Sequence, residues 1–194
     1  MHDPVEVVAI VLLAILGLIL IVAIPWFQYN RMVTLRNRCS ESWSNVDTEL
    51  KRRYDLIPNL VATVKGYAAH EKEVLTQVVQ ARAAAIASST TGAARHAANE
   101  NALVGAMNRL LAVAEAYPTL RANTNFLQLQ TELALTEDRI QAARRFYNAN
   151  VRDFRNQTHT FPGVFFAGWF GMRDIAFFEV GSPAFRVAPT VRVA

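Results

Sequence analysis

Residues 7–27 read VVAIVLLAILGLILIVAIPWF, twenty-one positions without one charged side chain. At about 1.5 Å per residue, a helix of that length just crosses a bilayer's hydrocarbon core. The stretch therefore predicts one membrane-spanning helix. No Gly/Ser/Pro-rich linker follows Pro25-Trp26-Phe27, and a helical pattern resumes by Asn30, so the rest of the chain is expected to continue directly from its anchor. A cleaved signal peptide is the competing reading. Against it stand the missing basic leading region, an apolar run longer than a signal core, and the lack of small residues for cleavage near Trp26.

Charge gives an orientation. Asp3 and Glu6 precede the span, whereas Arg31, Arg36 and Arg38 follow it, and positive flanks stay inside. The expectation is an outside N-terminus and a cytoplasmic soluble part, with Trp26, Phe27 and Tyr29 at the interface or, on the plainer reading, in ordinary core packing. About 160 residues remain after the anchor, enough for one compact domain. The net charge is +4, but the basic residues are scattered among carboxylates without interleaved aromatics, which argues against nucleic-acid binding. Cys39 is the one cysteine, so neither an internal disulfide nor a Cys-based zinc site can form.

Beyond the anchor, apolar residues recur at Leu35, Cys39, Trp43, Val46, Leu50, Tyr54, Ile57, Val61, Val64 and Ala68. Steps of three and four are the stripe of one long helix. Pro58 lacks a backbone donor and disfavours helix at Ile57, so a kink or restart is expected there, with Asn59 capping the restarted helix. Residues 71–88 predict a second helix buried through Val74, Leu75, Val78, Val79 and Ile86, and residues 93–116 a third through Ala97, Val104, Met107, Leu111 and Ala114. Pro118 closes the third. A fourth, over residues 123–156, repeats at Phe126, Leu129, Leu133, Thr136, Ile140, Tyr147, Val151 and Phe154. The fold class expected is all-α: a transmembrane helix continuing into an antiparallel four-helix bundle, then an aromatic-rich C-terminal segment. The divisions are a leader (1–6), an anchor (7–27), the bundle (28–157), and the aromatic segment and tail (158–194).

Leu35-Arg36-Asn37, Trp43-Ser44, KRRYDLIPNLV over residues 51–61, VKGYAAHEKEVL over 64–75, Tyr117-Pro118, Leu120-Arg121-Ala122-Asn123, Asn125-Phe126-Leu127, Ala143-Arg144-Arg145, Tyr147-Asn148 and Phe161-Pro162 resemble, in order and spacing, the LemA family. The resemblance covers nearly the whole chain. It implies a single-pass protein of the bacterial cytoplasmic (inner) membrane with a helical-bundle domain and no established enzymatic activity. Cys39-Ser40 and Thr136-Glu137-Asp138 depart modestly from the family's pattern, and residues 86–102 are variable and alanine-rich.

The chemistry-bearing residues make no active site. Glu41, Asp47, Glu49, Glu132, Glu137 and Asp138 lack the Glu-x-x-His pairs of a di-iron bundle. His70, His96 and His159 sit near expected helix ends, no Ser or Thr has a triad-like context, and no phosphate loop occurs. A non-enzyme without cofactor or metal is expected. The cluster Lys51, Arg52, Arg53, Asp55, Pro58 and Asn59 with Arg144 and Arg145 has two readings. In one, Asp47 and Asp55 pair with arginines across the helix junction and fix the kink; in the other, the cluster is a basic docking site.

Seven of the eleven phenylalanines lie in the last thirty-four residues. Phe165, Phe166, Trp169 and Phe170 are expected at the bilayer interface beside the anchor or against another subunit, with intrachain packing as the plain alternative. Residues 184–194 alternate imperfectly and suggest a strand added to a partner's sheet. The function expected is a non-catalytic membrane scaffold or adaptor. Association of the family with membrane zinc metalloproteases suggests such a protease as partner. The alternative is a self-assembling homo-oligomer that shapes membranes or organises the envelope, its anchor face of Ala14 and Gly17 permitting helix contact.

Overall fold

A computed structural model of the protein describes residues 4–89 and 93–179. It contains α1 (Pro4–Tyr67), α2 (Lys72–Ala87), α3 (Ala93–Glu115), α4 (Pro118–Arg121), α5 (Thr124–His159) and α6 (Gly163–Trp169), and among the described residues there is no strand. The all-α class holds. The suggested strand at 184–194 lies outside the described residues. Contacts divide the chain into two compact units, one drawn from Met1–Glu41 with Ala149–Ile175 and the other from Ser42–Asn148 with Ala176–Ala194.

In the first unit, the large apolar side chains described from Val7 to Phe27 of α1 are exposed, and this helix is long and apolar enough to cross a membrane. Past Phe27, Met32 and Cys39 of α1 are buried, as are Val151 and Phe154 of α5. Gln157 Nε2 donates to Gln28 Oε1 at 2.6 Å. A cis Phe161–Pro162 bond precedes α6, and a Cβ on Gly163 would collide with the Gln157 carbonyl, so only glycine lets α6 come this close to α5. The helix ends on Gly171 at φ 62°, with the Met172 amide donating to the Ala167 carbonyl at 2.9 Å and the Gly171 amide to Gly168 at 3.3 Å. That is a left-handed C-cap, which glycine adopts without penalty.

The second unit is built on the stripes read from sequence. Val46, Leu50, Tyr54, Ile57 and Val64 of α1 and Phe126, Leu133, Thr136, Ile140 and Tyr147 of α5 are all buried. Contacts pair Trp43 with Tyr147 and Arg53 with Glu137, and Tyr67 with Asn123, so α1 and α5 run antiparallel. Asn99–Ala84 and Arg109–Gln77 contacts show the same for α2 and α3. Asn123 caps α5, its Oδ1 accepting the Phe126 amide at 3.0 Å. On α2 the expected phase is rotated: Leu75, Val78 and Ala85 are buried, while Val79 and Ile86 are exposed. Alanine-rich helices offer several near-equivalent faces, so periodicity alone fixes their phase weakly.

The expected restart at Pro58 is not met, because α1 runs through it to Tyr67. A proline inside a helix orphans the carbonyl four residues earlier, here that of Tyr54. Arg82 Nε of α2 donates to Tyr54 O at 2.7 Å. The proline thus frees an acceptor on which α2 docks. Asn59 caps nothing; its carbonyl lies mid-helix and accepts the Thr63 hydroxyl at 2.8 Å.

This exchange of partners predicts coupling. Arg82→Met should cost about 1–2 kcal/mol in urea unfolding, and in a Pro58→Ala background, where the amide of residue 58 again reaches Tyr54, less than half of that. Equal costs in both backgrounds would refute the assignment.

Candidate functional site

In the second unit, helix periodicity turns two ionisable side chains into the core. Arg53 follows Leu50 on the α1 stripe, and Glu100 lies between Ala97 and Leu103 on α3; Arg53 is 1 % exposed and Glu100 0 %. Arg53 is ion-paired to Glu100 through one guanidinium nitrogen and to Glu137 of α5 through the other, the latter at 2.9 Å. The Tyr54 hydroxyl donates to the second Glu100 oxygen. Three helices thus meet on one guanidinium. Burial pulls the Arg53 pKa below its ordinary value against the restoring field of Glu137, and burial pushes the Tyr54 phenol up to about 12. Arginine nevertheless stays charged at any physiological pH.

Beside this cluster lies an aromatic box. Trp43 meets Tyr147 and Phe178 edge-on at 5.1 Å each and His96 at 6.0 Å, and His96 stacks on Phe178 at 5.5 Å. Phe178 is held by Asn148, whose side chain accepts its amide at 3.0 Å and donates to its carbonyl at 3.1 Å. The Tyr147 hydroxyl donates to the Ala176 carbonyl at 2.9 Å. One dipeptide of α5, Tyr147-Asn148, therefore pins the extended segment after α6. Ser88 Oγ donates to the Ala85 carbonyl at 2.8 Å and lies 3.2 Å from His96 Nδ1. With that proton on the carbonyl, Nδ1 carries its own, and buried Nε2 has no partner among the described residues.

In the first unit, α6 is apolar on the wrong side for a core helix. Gly163 and Ala167 face inward, while Phe165 is 70 % exposed, Trp169 77 % and nearby Phe161 81 %. Phe166 and Phe170 are half-buried. Phe170 meets Tyr29 of α1 edge-on at 5.1 Å, two residues beyond the apolar run. Trp26 and Phe27 are exposed as well. Asp174 accepts from His159 at 2.8 Å and lies 3.8 Å from Arg155; the His159 hydrogen bond holds its carboxyl below the usual range.

The sequence-expected basic cluster does not assemble as one. Lys51, Arg52, Asp55, Pro58, Asn59 and Arg145 are exposed, Arg144 is half-buried and Arg53 is core. Asp47 pairs with Lys51 one turn away, at 2.7 Å, and among the described residues neither Asp47 nor Asp55 is ion-paired to Arg144 or Arg145. Burial lowers the Arg144 pKa, partly offset by Glu137. Sequence reasoning missed Glu100 because a carboxylate on an alanine-rich helix reads as solvated. Its spacing of three from both Ala97 and Leu103 was the available signal. His96, in the first turn of α3 near the helix end as expected, is likewise core.

The LemA family profile matches residues 42–193. Two magnetosome proteins of Paramagnetospirillum magneticum, MamQ 1 and MamQ 2, are each 24% identical over 195 residues, covering 88% of this chain and 72% of their own. Protein LemA of Metamycoplasma hominis is 28% identical over 171 residues, 85% of this chain and 77% of its own.

Burial holds the His96 pKa below its ordinary value, with Asp47 opposing and Arg53 reinforcing. The unfolded chain therefore takes up the proton first as pH falls, so this stability is full above the ordinary histidine range and is lost below about 6.5. Thermal unfolding should shift to lower temperature between about pH 7.5 and pH 5.5, and His96→Gln should flatten that dependence. An unchanged pH slope in the variant would contradict the assignment.

Proposed function

We propose that this chain, which belongs to the LemA family and carries one helix long and apolar enough to cross a membrane, is a non-catalytic, membrane-anchored scaffold or adaptor. The observation that carries the reading is the reversed α6. Small residues pack inward and Phe165 and Trp169 point out, while Phe170 meets Tyr29, two residues beyond the apolar run. Exposed rings on that scale are costly in water and favoured at the level of lipid headgroups. The aromatic segment is then a foot in the interface, alongside Trp26 and Phe27.

The arginines after the span favour the cytoplasmic leaflet of a bacterial inner membrane, with the N-terminus outside. What the scaffold presents is its second unit, a helical core whose charges are neutralised internally. Leu135 and Phe146 of α5 remain exposed there as contacts for a protein partner, of which a membrane zinc metalloprotease is the version suggested by family association. Self-assembly is the second reading, supported by the same exposed side chains and by Ala14 and Gly17 on the anchor, where a Cβ on Gly17 would meet nothing.

Two measurements test this. Lipids brominated at the upper acyl chain should quench wild-type tryptophan emission more than that of Trp169→Phe, the difference reporting Trp169 itself; equal quenching would remove the foot. Extraction in native lipid should yield a second polypeptide in fixed ratio. A large particle of this chain alone that collapses on Phe165→Ser/Trp169→Ser would favour self-assembly over the adaptor.

A further inference from the structure

Just past the apolar run, α1 and α5 leave a polar cleft of about 670 Å³ lined by Arg31, Arg38, Asp153, Asn156 and Gln157, with Thr34 and Thr160 at its wall. That volume is in the range of small-ligand sites. Two arginines face one carboxylate, so the lining is net positive. The threonine hydroxyls already donate to the Asn30 and Asn156 carbonyls, at 2.8 and 2.6 Å. A ligand in the cleft would also meet the exposed guanidinium groups of Arg31 and Arg38 and the side-chain amide of Asn156. Guanidinium groups match phosphate oxygens bidentately.

We infer that this cleft binds the phosphate headgroup of an anionic phospholipid, an inference that rests on the membrane reading above. The height fits: Arg31 lies four helical residues beyond Phe27, about 6 Å above the apolar run, and Arg38 about 16 Å above it. The first is within the headgroup layer and the second reaches down to it along its aliphatic stem. The surroundings also fit a lipid better than a free phosphate. The exposed apolar face of α1 on one side, and Phe165 and Trp169 of α6 in the same unit, supply apolar surface for acyl chains that a soluble anion would leave bare. The Gln157–Gln28 hydrogen bond holds α5 to α1 at this level, so the cleft is shaped before lipid arrives.

The full-length protein in nanodiscs of equal phosphatidylcholine and phosphatidylglycerol, released and weighed by native mass spectrometry, should retain phosphatidylglycerol preferentially. Arg31→Gln/Arg38→Gln should cut that preference by about fivefold or more. Arg31→Gln alone, a change at an exposed position, should lower it in part, and Arg52→Gln/Arg145→Gln should leave it unchanged. Inorganic phosphate should not displace the lipid. Equal retention of both lipids by the wild type, a preference that survives loss of both arginines, or release by inorganic phosphate would overturn the headgroup site. A protein that does not enter nanodiscs at all would overturn the membrane reading and the site together; one that enters without lipid preference overturns the site alone.

Discussion

A guanidinium placed where water does not reach organises the second unit. Arg53 can be buried only because carboxylates from two other helices come to it, Glu100 from α3 and Glu137 from α5, with the Tyr54 hydroxyl completing Glu100. Such a cluster adds little net stability over an apolar core of the same shape, since desolvation offsets most of the attraction. What it adds is register. A slip of either partner helix by one turn would strand a charge in the interior, at a cost comparable with much of a domain's stability. Apolar stripes made largely of alanine could not enforce that, because one alanine face packs much like another.

The same logic explains why some of the structure was legible and some was not. Long stripes of large residues, as on α1 and α5, were readable to within a few positions because Phe126, Ile140, Tyr147 and Phe154 leave one face for the core. The α2 phase was misread at Val79 and Ile86 for want of such contrast. Pro58 was legible as an anomaly but not in its consequence. Local rules say that a proline orphans a carbonyl, and only the fold could say that Arg82 takes it. Glu100 and His96 were hidden for a related reason: Glu100 meets Arg53 and Tyr54, and His96 meets Trp43 and Phe178, all more than forty residues away in sequence.

The aromatic C-terminal segment divides its side chains between two tasks. Phe178 closes the box around Trp43 and His96, pinned by Tyr147 and Asn148, while Phe161, Phe165 and Trp169 face outward. Composition foretold the crowding but not this division, because it turns on Gly163 and Ala167 taking the inward positions of α6. Cys39 is buried beside Asp153, and burial raises its thiol pKa, which suits an inert core residue. The chemistry of the chain thus serves placement: charges inside set the helices, and the rings of Phe161, Phe165 and Trp169 are left outside.

The most direct test of the central claim is a double-mutant cycle between Arg53 and Glu100, with unfolding free energies of Arg53→Met, Glu100→Met and the pair. Arg53→Met should cost about 3–5 kcal/mol because it leaves buried Glu100 without its partner, Glu100→Met should cost less because Glu137 still pairs with Arg53, and the double variant should be no less stable than Arg53→Met alone. Additive costs, or single substitutions near neutral, would mean that the cluster does not set the register of these helices.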